Sequence, residues 1–421
     1  MNISVIGTGY VGSVTGACLA EMGHDIIFVG RDRKKLDLIK SGKSPIYEPG
    51  LEDLLTKNRK KISVTTDLQD AVANSDISFI CVGTPPKKDG SSDLSQVKEV
   101  SRSIGKSLRS LDRFHVIVTK STVIPGTNET VIIPLLERES GKKAFVDFGI
   151  ASNPEFLKEG TAFDDFFHTD RVVIGTNDPK TKEVLESLYR PLNAPIFSTT
   201  LRTSEMIKYA SNAFLATKIS FANEIGNLCK ELGIDSYEVF RGVGLDARIS
   251  PHFFRSGIGF GGSCFPKDVK ALIAHADSKG IPSRILSSVM ALNDDQPKRL
   301  IALLKKHIRP KGKTIGILGL SFKPDTDDIR ESRAIPIIRL LRKAGASVIV
   351  YDPMAMENFK KIIPDISYAS SASEILAADA VLIVTEWKEF EDLDYRGKIV
   401  IDGRRIGNAQ QEAKIYEGVC W

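Results

Sequence analysis

The chain has 421 residues, about three times the ~150 that serve as a prior for one domain, so two or three domains are expected. With 42% hydrophobic and 26% charged residues it is composed like a globular protein, which excludes a disordered or fibrous chain. Its 58 basic and 53 acidic groups nearly cancel, a net charge of +5 spread along the chain that gives no basis for nucleic-acid binding.

From Asn2 to about Pro195, short apolar runs (NISVIG, DIIFVG, ISVTT, DISFICVG, FHVIVTKST, RVVIGT) alternate with helical patterns. Strands separated by helices imply a parallel, doubly wound α/β sheet covered on both faces. From Ser204 to Leu232 apolar residues recur at helical spacing without proline, so one long helix is expected, joining domains and offering a subunit interface. A further helical stretch ends near Ser288 to Asp294, and strand–helix alternation restarts at KTIGILGLSF, with SVIVYDP, AVLIVTEW and KIVIDGRR following. The expected organisation is a Rossmann-like dinucleotide domain over 1–200, a helical linker and dimerisation region over 201–300, and a smaller α/β domain over 301–421.

No apolar stretch reaches the ~18 residues that a membrane helix needs, and the first residues run straight into a strand pattern, so neither a membrane partner nor a secretory leader is expected. The five cysteines (Cys18, Cys81, Cys229, Cys264 and Cys420) are far apart and form no CxxC pair, which argues against a disulfide framework or a metal site. Free thiols in a cytoplasmic chain is the expectation.

Chemistry is suggested at three places. Gly7, Gly9 and Gly12, with Tyr10 and Val11 between, follow a strand and open a helix in GxGxxG register, the backbone a dinucleotide pyrophosphate requires. Where the second strand ends, an NAD site ordinarily carries an acidic residue for the ribose; here the position is Gly30, followed by Arg31, Arg33, Lys34 and Lys35, a cluster suited to a 2′-phosphate. NADP and NAD both stay open, since Asp32 offers a carboxylate two residues on. In IGFGGSCFPKD, Cys264 lies in a glycine-rich loop beside Lys267 and Asp268, where a thiol could ionise and attack a carbonyl carbon; the alternative is a buried filler cysteine. Lys208 and Asn212 project from one face of the long helix and together suit a developing oxyanion, although a snorkelling lysine and a backbone-capping asparagine would read the same way. Loops after strands add Thr84, Ser121, Thr122 and the NPEFLKEG segment.

Taken in order, GTGYVG, SPIYEPGL, KSTVIPGT, NPEFLKEGTAFDDF, KYASNAFLATKISFANEI, GFGGSCFPKD, GLSFKPDTDDIRES and IDGRR resemble the UDP-glucose/GDP-mannose dehydrogenases over essentially the whole chain, the UDP-glucose members most. The resemblance implies oxidation of the C6 alcohol of a nucleotide sugar to a carboxylate in two hydride transfers, consuming two dinucleotides and no metal. Cys264 would carry a thiohemiacetal and then a thioester. Lys208 and Asn212 would stabilise the C6 oxygen, Asp268 and Thr122 would hold water and relay protons, and Glu159 would stand beside the nicotinamide. Implied cofactor contacts are Val11, Lys35, Thr84, Thr122, Glu159, Lys267 and Arg330; Gly30 with Arg31 departs from the resemblance, since members using NAD have an aspartate there. Implied substrate contacts are Glu155, Phe156, Leu157, Lys158, Lys208, Asn212, Phe253, Phe254, Arg255, Ser256, Gly257, Gly261, Lys323 and Arg405, with Arg248 reaching across the interface of a homodimer or larger oligomer. Sibling substrates (UDP-galactose, a UDP-N-acetylhexosamine, GDP-mannose), a one-step alcohol dehydrogenase and a thiol redox sensor are the competing readings.

Overall fold

A computed structural model describes residues 1–421. The chain forms two compact units, Met1–Ser211 and Asn212–Trp421. In the first, strands β1 (Asn2–Ile6), β2 (Asp25–Val29), β3 (Ile62–Thr65), β4 (Ile77–Ile80), β5 (Val116–Thr119), β6 (Gly149–Ser152), β7 (Val172–Gly175) and β8 (Ile196–Thr199) build one sheet in the order β3-β2-β1-β4-β5-β6-β7-β8. Every pairing is parallel except that of β6 with β7. Alternate residues of β1 explain why it must be covered twice. Ile3 and Val5 pack with the opening helix Tyr10–Glu21, whereas Ile6 joins the core on the opposite face, all essentially free of solvent.

The second unit repeats the plan. Strands β9 (Thr314–Leu318), β10 (Ser347–Tyr351), β11 (Ser367–Tyr368), β12 (Ala380–Ile383), β13 (Ile399–Asp402) and β14 (Ile415–Gly418) pair in parallel in the order β11-β10-β9-β12-β13-β14. The doubly wound α/β class expected from the sequence is the one observed.

The long helix runs Leu201–Leu232, 32 residues, about 48 Å at 1.5 Å per residue. The next long helix corrects the sequence reading. It does not stop near Asp294 but runs Arg284–His307 through Pro297. Proline leaves the carbonyl four residues back without its helical donor, and the Asn293 carbonyl instead accepts from the Arg333 guanidinium at 3.4 Å.

Candidate functional site

Most candidate residues of the first unit lie at the carboxyl ends of β1, β4, β5 and β6, where an open parallel sheet binds ligands. Gly7 adopts φ +112°, and a Cβ there would fall 2.7 Å from the Cys81 carbonyl oxygen; at Gly12 it would fall 1.9 Å from the Gly7 oxygen. Only glycine fits either place. At Gly9, by contrast, nothing lies within 4 Å of where a Cβ would stand. Two glycines are therefore required by packing and the third leaves room for a ligand, so the turn fits a dinucleotide pyrophosphate.

Tyr10 and Val11 follow that turn, both half-buried. The Tyr10 hydroxyl donates to the Glu48 carboxylate at 2.8 Å and to the Lys158 carbonyl at 3.2 Å. Burial, and then the Glu48 charge, push the Tyr10 phenol far above its ordinary range. Glu48 also accepts from the backbone N–H of Gly160 (2.7 Å) and Ala162 (2.8 Å). This carboxylate links the glycine turn to the NPEFLKEG loop, and sequence reasoning did not single it out. Thr84 and Thr122, both expected in loops after strands, meet: the Thr84 hydroxyl donates to the Thr122 carbonyl at 2.9 Å.

Lys208 is buried, and its ammonium donates to the Glu155 carbonyl at 2.7 Å and carboxylate at 3.0 Å. Burial opposes charge on Glu155, yet the Lys208 ammonium and its hydrogen bond outweigh it and hold the carboxyl below its ordinary value. Two Glu155 oxygens thus orient the Lys208 ammonium inside the protein, partners that a snorkelling lysine would not have. Lys120, also buried, bonds the Asn153 side-chain oxygen at 2.9 Å, and desolvation draws its ammonium down to about 8. Phe156 lies under Lys208 (5.3 Å) and Arg171 (4.0 Å), the Leu157 N–H donates to Glu155 at 2.7 Å, and Lys158 pairs with Asp165 at 2.8 Å. Glu159 is half-buried, and its charge also bears on Tyr10. Arg31 is exposed and pairs with Glu99 at 3.2 Å. Asp32 caps the helix Arg33–Lys40 by accepting from the N–H of Lys34 and Lys35.

In the second unit one cysteine differs from the rest. Cys18, Cys81, Cys229 and Cys420 are buried, whereas Cys264 is exposed, which removes the filler reading. It is the N-cap of the helix Phe265–Ser278, where the helix dipole favours a thiolate. One turn on, Asp268 is buried and accepts from the Asn212 amide at 2.6 Å and the Lys267 ammonium at 2.5 Å. Lys267 therefore shares its charge with a carboxylate instead of serving the thiol alone. Asn212 lies one helical turn from Lys208.

The loop before Cys264 packs on the segment carrying Arg330. The Gly262 N–H donates to the Arg330 carbonyl at 2.9 Å, and a Cβ on Gly261 would fall 2.5 Å from the Glu331 oxygen. Phe253 has φ +67°, and Phe254 stacks on Phe240 at 4.8 Å. Arg255 approaches Glu386 at 3.8 Å, Ser256 bonds the Ser236 hydroxyl at 2.7 Å, and Gly257 N–H donates to Asn223 at 2.7 Å. Lys323 is half-buried, near the Phe322 ring. Three expected ligand-binding arginines have partners within the chain: Arg248 with Asp246 (2.7 Å), Arg330 with Asp328 (2.7 Å) and Arg405 with Asp235 (2.5 Å). No group of three or more His, Cys, Asp or Glu is placed to hold a metal ion, and no helix is long and apolar enough to cross a membrane.

Three domain models of one family match consecutive parts of the chain: the UDP-glucose/GDP-mannose dehydrogenase NAD binding domain over residues 1–193, the central domain over 202–295 and the UDP binding domain over 316–409. The chain belongs to the UDP-glucose/GDP-mannose dehydrogenase family. It is 46% identical to a UDP-glucose 6-dehydrogenase of Haloferax volcanii and 42% identical to a GDP-mannose 6-dehydrogenase of Pseudomonas aeruginosa, each over 100% of both chains. Among solved structures it resembles a UDP-glucose dehydrogenase from the hyperthermophilic archaeon Pyrobaculum islandicum, with 44% identity and a TM-score of 0.96 over 100% of this chain and 98% of that one. It is accordingly an oxidoreductase with a dinucleotide-binding Rossmann-like fold and a UDP-sugar-binding domain.

Proposed function

We propose that the chain oxidises UDP-glucose at C6 to UDP-glucuronate through a covalent intermediate on Cys264. The observation that carries this reading is that the exposed thiol caps a helix whose first turn holds Asp268 on the Asn212 amide. Three relatives named UDP-glucose 6-dehydrogenase, at 44–46% identity, support the glucose form. The glycine turn, Lys35, Thr84, Thr122, Glu159, Lys267 and Arg330 hold the dinucleotide, which supplies the hydride acceptor when bound, two per turnover. Gly30 and Arg31 favour NADP over NAD. Glu155 to Lys158, Phe253 to Gly257, Gly261, Lys323 and Arg405 contact the nucleotide sugar, with Arg248 serving a neighbouring subunit of a cytoplasmic homodimer or larger oligomer. The division into 1–200, 201–300 and 301–421 assigns cofactor, thiol and nucleotide to successive parts.

The chain's own groups act on C6 as follows. The Cys264 sulfur adds to the aldehyde left by the first oxidation, forming the C–S bond. The oxygen that gains negative charge meets the Lys208 ammonium and the Asn212 amide, donors already fixed in place. Oxidation of that thiohemiacetal leaves a thioester. Water held by Asp268 and Thr122, assisted by Glu159, attacks the acyl carbon, and the C–S bond breaks to release carboxylate and thiol. A covalent acyl group keeps the aldehyde from escaping between oxidations.

The test is Cys264→Ser. It should bind UDP-glucose by calorimetry, yet yield UDP-glucuronate at least about 1,000-fold more slowly; carboxylate output at the parent rate removes the covalent step. Assaying UDP-galactose, a UDP-N-acetylhexosamine and GDP-mannose beside UDP-glucose decides the sugar, and equal rates with the glucose and galactose forms defeat the narrower assignment.

A further inference from the structure

Glu205 lies near the start of the long helix, buried, and no step of the reaction uses it. Its partners are all donors, drawn from one stretch of chain. Oε2 accepts from the Gly126 N–H at 2.5 Å, and Oε1 accepts from the Asn128 N–H at 2.9 Å and the Asn128 side-chain amide at 2.8 Å. Burial raises the Glu205 carboxyl above its ordinary value, and the bonds from Asn128 and Gly126 oppose that shift. A proton on either oxygen would face a donor, so this set of partners calls for the ionised form.

Asn128 carries the tie further. Its side-chain oxygen accepts from the hydroxyl of Thr119, the last residue of β5, at 2.7 Å. The segment 120–127 therefore leaves the sheet at Thr119 and is bonded back to it through Asn128, with Glu205 gripping both Asn128 and Gly126 where it returns. Gly126 has φ +92°, and its carbonyl accepts from the N–H (2.9 Å) and hydroxyl (2.8 Å) of Thr130. The departing end is held separately, by the Ser121 hydroxyl on the Val82 carbonyl (2.6 Å) and by the Thr84 hydroxyl on the Thr122 carbonyl.

On the helix, Glu205 precedes Lys208 by three residues, so the two share a face. Ser204, beside it, donates to the carbonyl and hydroxyl of Ser152 at the end of β6, both at 3.1 Å. The start of the helix is thereby keyed to β6 through Ser204 and to the segment after β5 through Glu205. Arg202 and Glu129 join the same helix and segment at the surface, where water competes for the pair.

We propose that Glu205 is a positioning residue for the reaction at C6, its carboxylate bracing the segment that carries Thr122 against the helix that carries Lys208. One consequence is mechanical: without the carboxylate the segment 120–127 opens locally. The other is chemical: Thr122 loses its place relative to Lys208, and turnover slows while binding of the nucleotide sugar holds. This second consequence rests on the reading of Thr122 as a residue that holds water; the first does not.

The two are measured separately on the full-length chain. Glu205→Gln keeps the volume and an acceptor for Asn128, but turns an amide N–H toward that of Gly126. By hydrogen exchange, peptides covering 120–128 should exchange at least about tenfold faster than in the parent, with β1 and β9 unchanged. Unchanged exchange over 120–128 overturns the brace. The chemical part is read from a double-mutant cycle on kcat. Glu205→Gln should lower kcat about tenfold in the parent, with KM for the nucleotide sugar within about twofold, and by less than about twofold in a Thr122→Ala background. A residue that only stabilised the fold would act alike in both backgrounds, so equal factors overturn the positioning role. If the exchange result holds while Thr122→Ala alone keeps the parent kcat, it is the Thr122 reading that fails. Should Glu205→Gln not fold, Asn128→Ala cuts the side-chain ties to Thr119 and Glu205 while leaving both backbone bonds, and it must pass the same two tests.

Discussion

A buried carboxylate survives in a core only where donors replace its water, and Glu48 is such a group. It gathers the Tyr10 hydroxyl and the N–H groups of Gly160 and Ala162. Replacing it with glutamine removes one acceptor oxygen and the charge while keeping the volume. One donor is then left unmet, a cost of about 1–3 kcal/mol. We expect Glu48→Gln to lose that much unfolding free energy in urea denaturation and to weaken dinucleotide binding. Tyr10→Phe, which removes the hydroxyl's bonds to Glu48 and to the exposed Lys158 carbonyl but leaves no buried donor unmet, should lose about 0.5–1.5 kcal/mol. Equal losses in both variants would mean that Glu48 acts through Tyr10 alone. Nothing in the local sequence announces this residue, since no spacing ties position 48 to 10 or 160. Cys264 and Asn212 could be singled out because a thiol in a glycine-rich loop and an amide on an apolar helix are unusual, whereas Asp268, which the structure bonds to Asn212, drew its expected role from the family resemblance. The contacts that orient the site, Glu155 for Lys208 and Asp268 for Asn212, depend on chain crossings that no local pattern encodes.

At the scale of elements, strands with strong apolar character were legible, and GIAS, IFST, SY and IYEG were not. These form β6, β8, β11 and β14, short and rich in small or polar residues, and they owe their pairing to neighbours already in place. The end of β2 is the element on which cofactor choice depends. Gly30 leaves the ribose without the usual acid, and the Asp32 carboxylate caps the following helix, accepting from Lys34 and Lys35 N–H at 3.0 and 3.3 Å. Arg31 pairs with Glu99, both side chains more than half exposed, so water competes for that bond and the guanidinium can be drawn to a 2′-phosphate at little cost. A charge-assisted contact there is worth about 1.5–3 kcal/mol, so NADP should bind at least about tenfold more tightly than NAD. Arg31→Ala should erase most of that difference and leave NAD binding unchanged. Fluorescence titration of the reduced cofactors checks both statements, and a clear NAD preference in the parent chain discards the argument.

At the scale of the whole molecule, the long helix leaves an apolar face that its own unit does not cover. Phe214, Phe221 and Leu228 are 65%, 50% and 57% exposed and follow one another at heptad spacing, with Leu232 at 62% beyond them. Leu245, 84% exposed, and Ile249, 41% exposed, add apolar surface in the segment that carries Arg248. A monomer does not ordinarily leave so many large apolar side chains in water. A second copy related by a two-fold axis covers such a stripe with itself, because an isologous contact presents the same residues from both sides. Burying each side chain is worth about 1.5–3 kcal/mol, so a charge at the centre of the stripe should dissociate the pair while leaving the fold intact. Phe221→Glu is therefore expected to sediment as a smaller species than the parent at micromolar concentration, with unchanged circular dichroism. Activity should fall with dissociation, since Arg248 would then be parted from the neighbouring subunit's substrate, and should recover as protein concentration is raised. A variant that sediments like the parent would place the subunit contact elsewhere on the molecule.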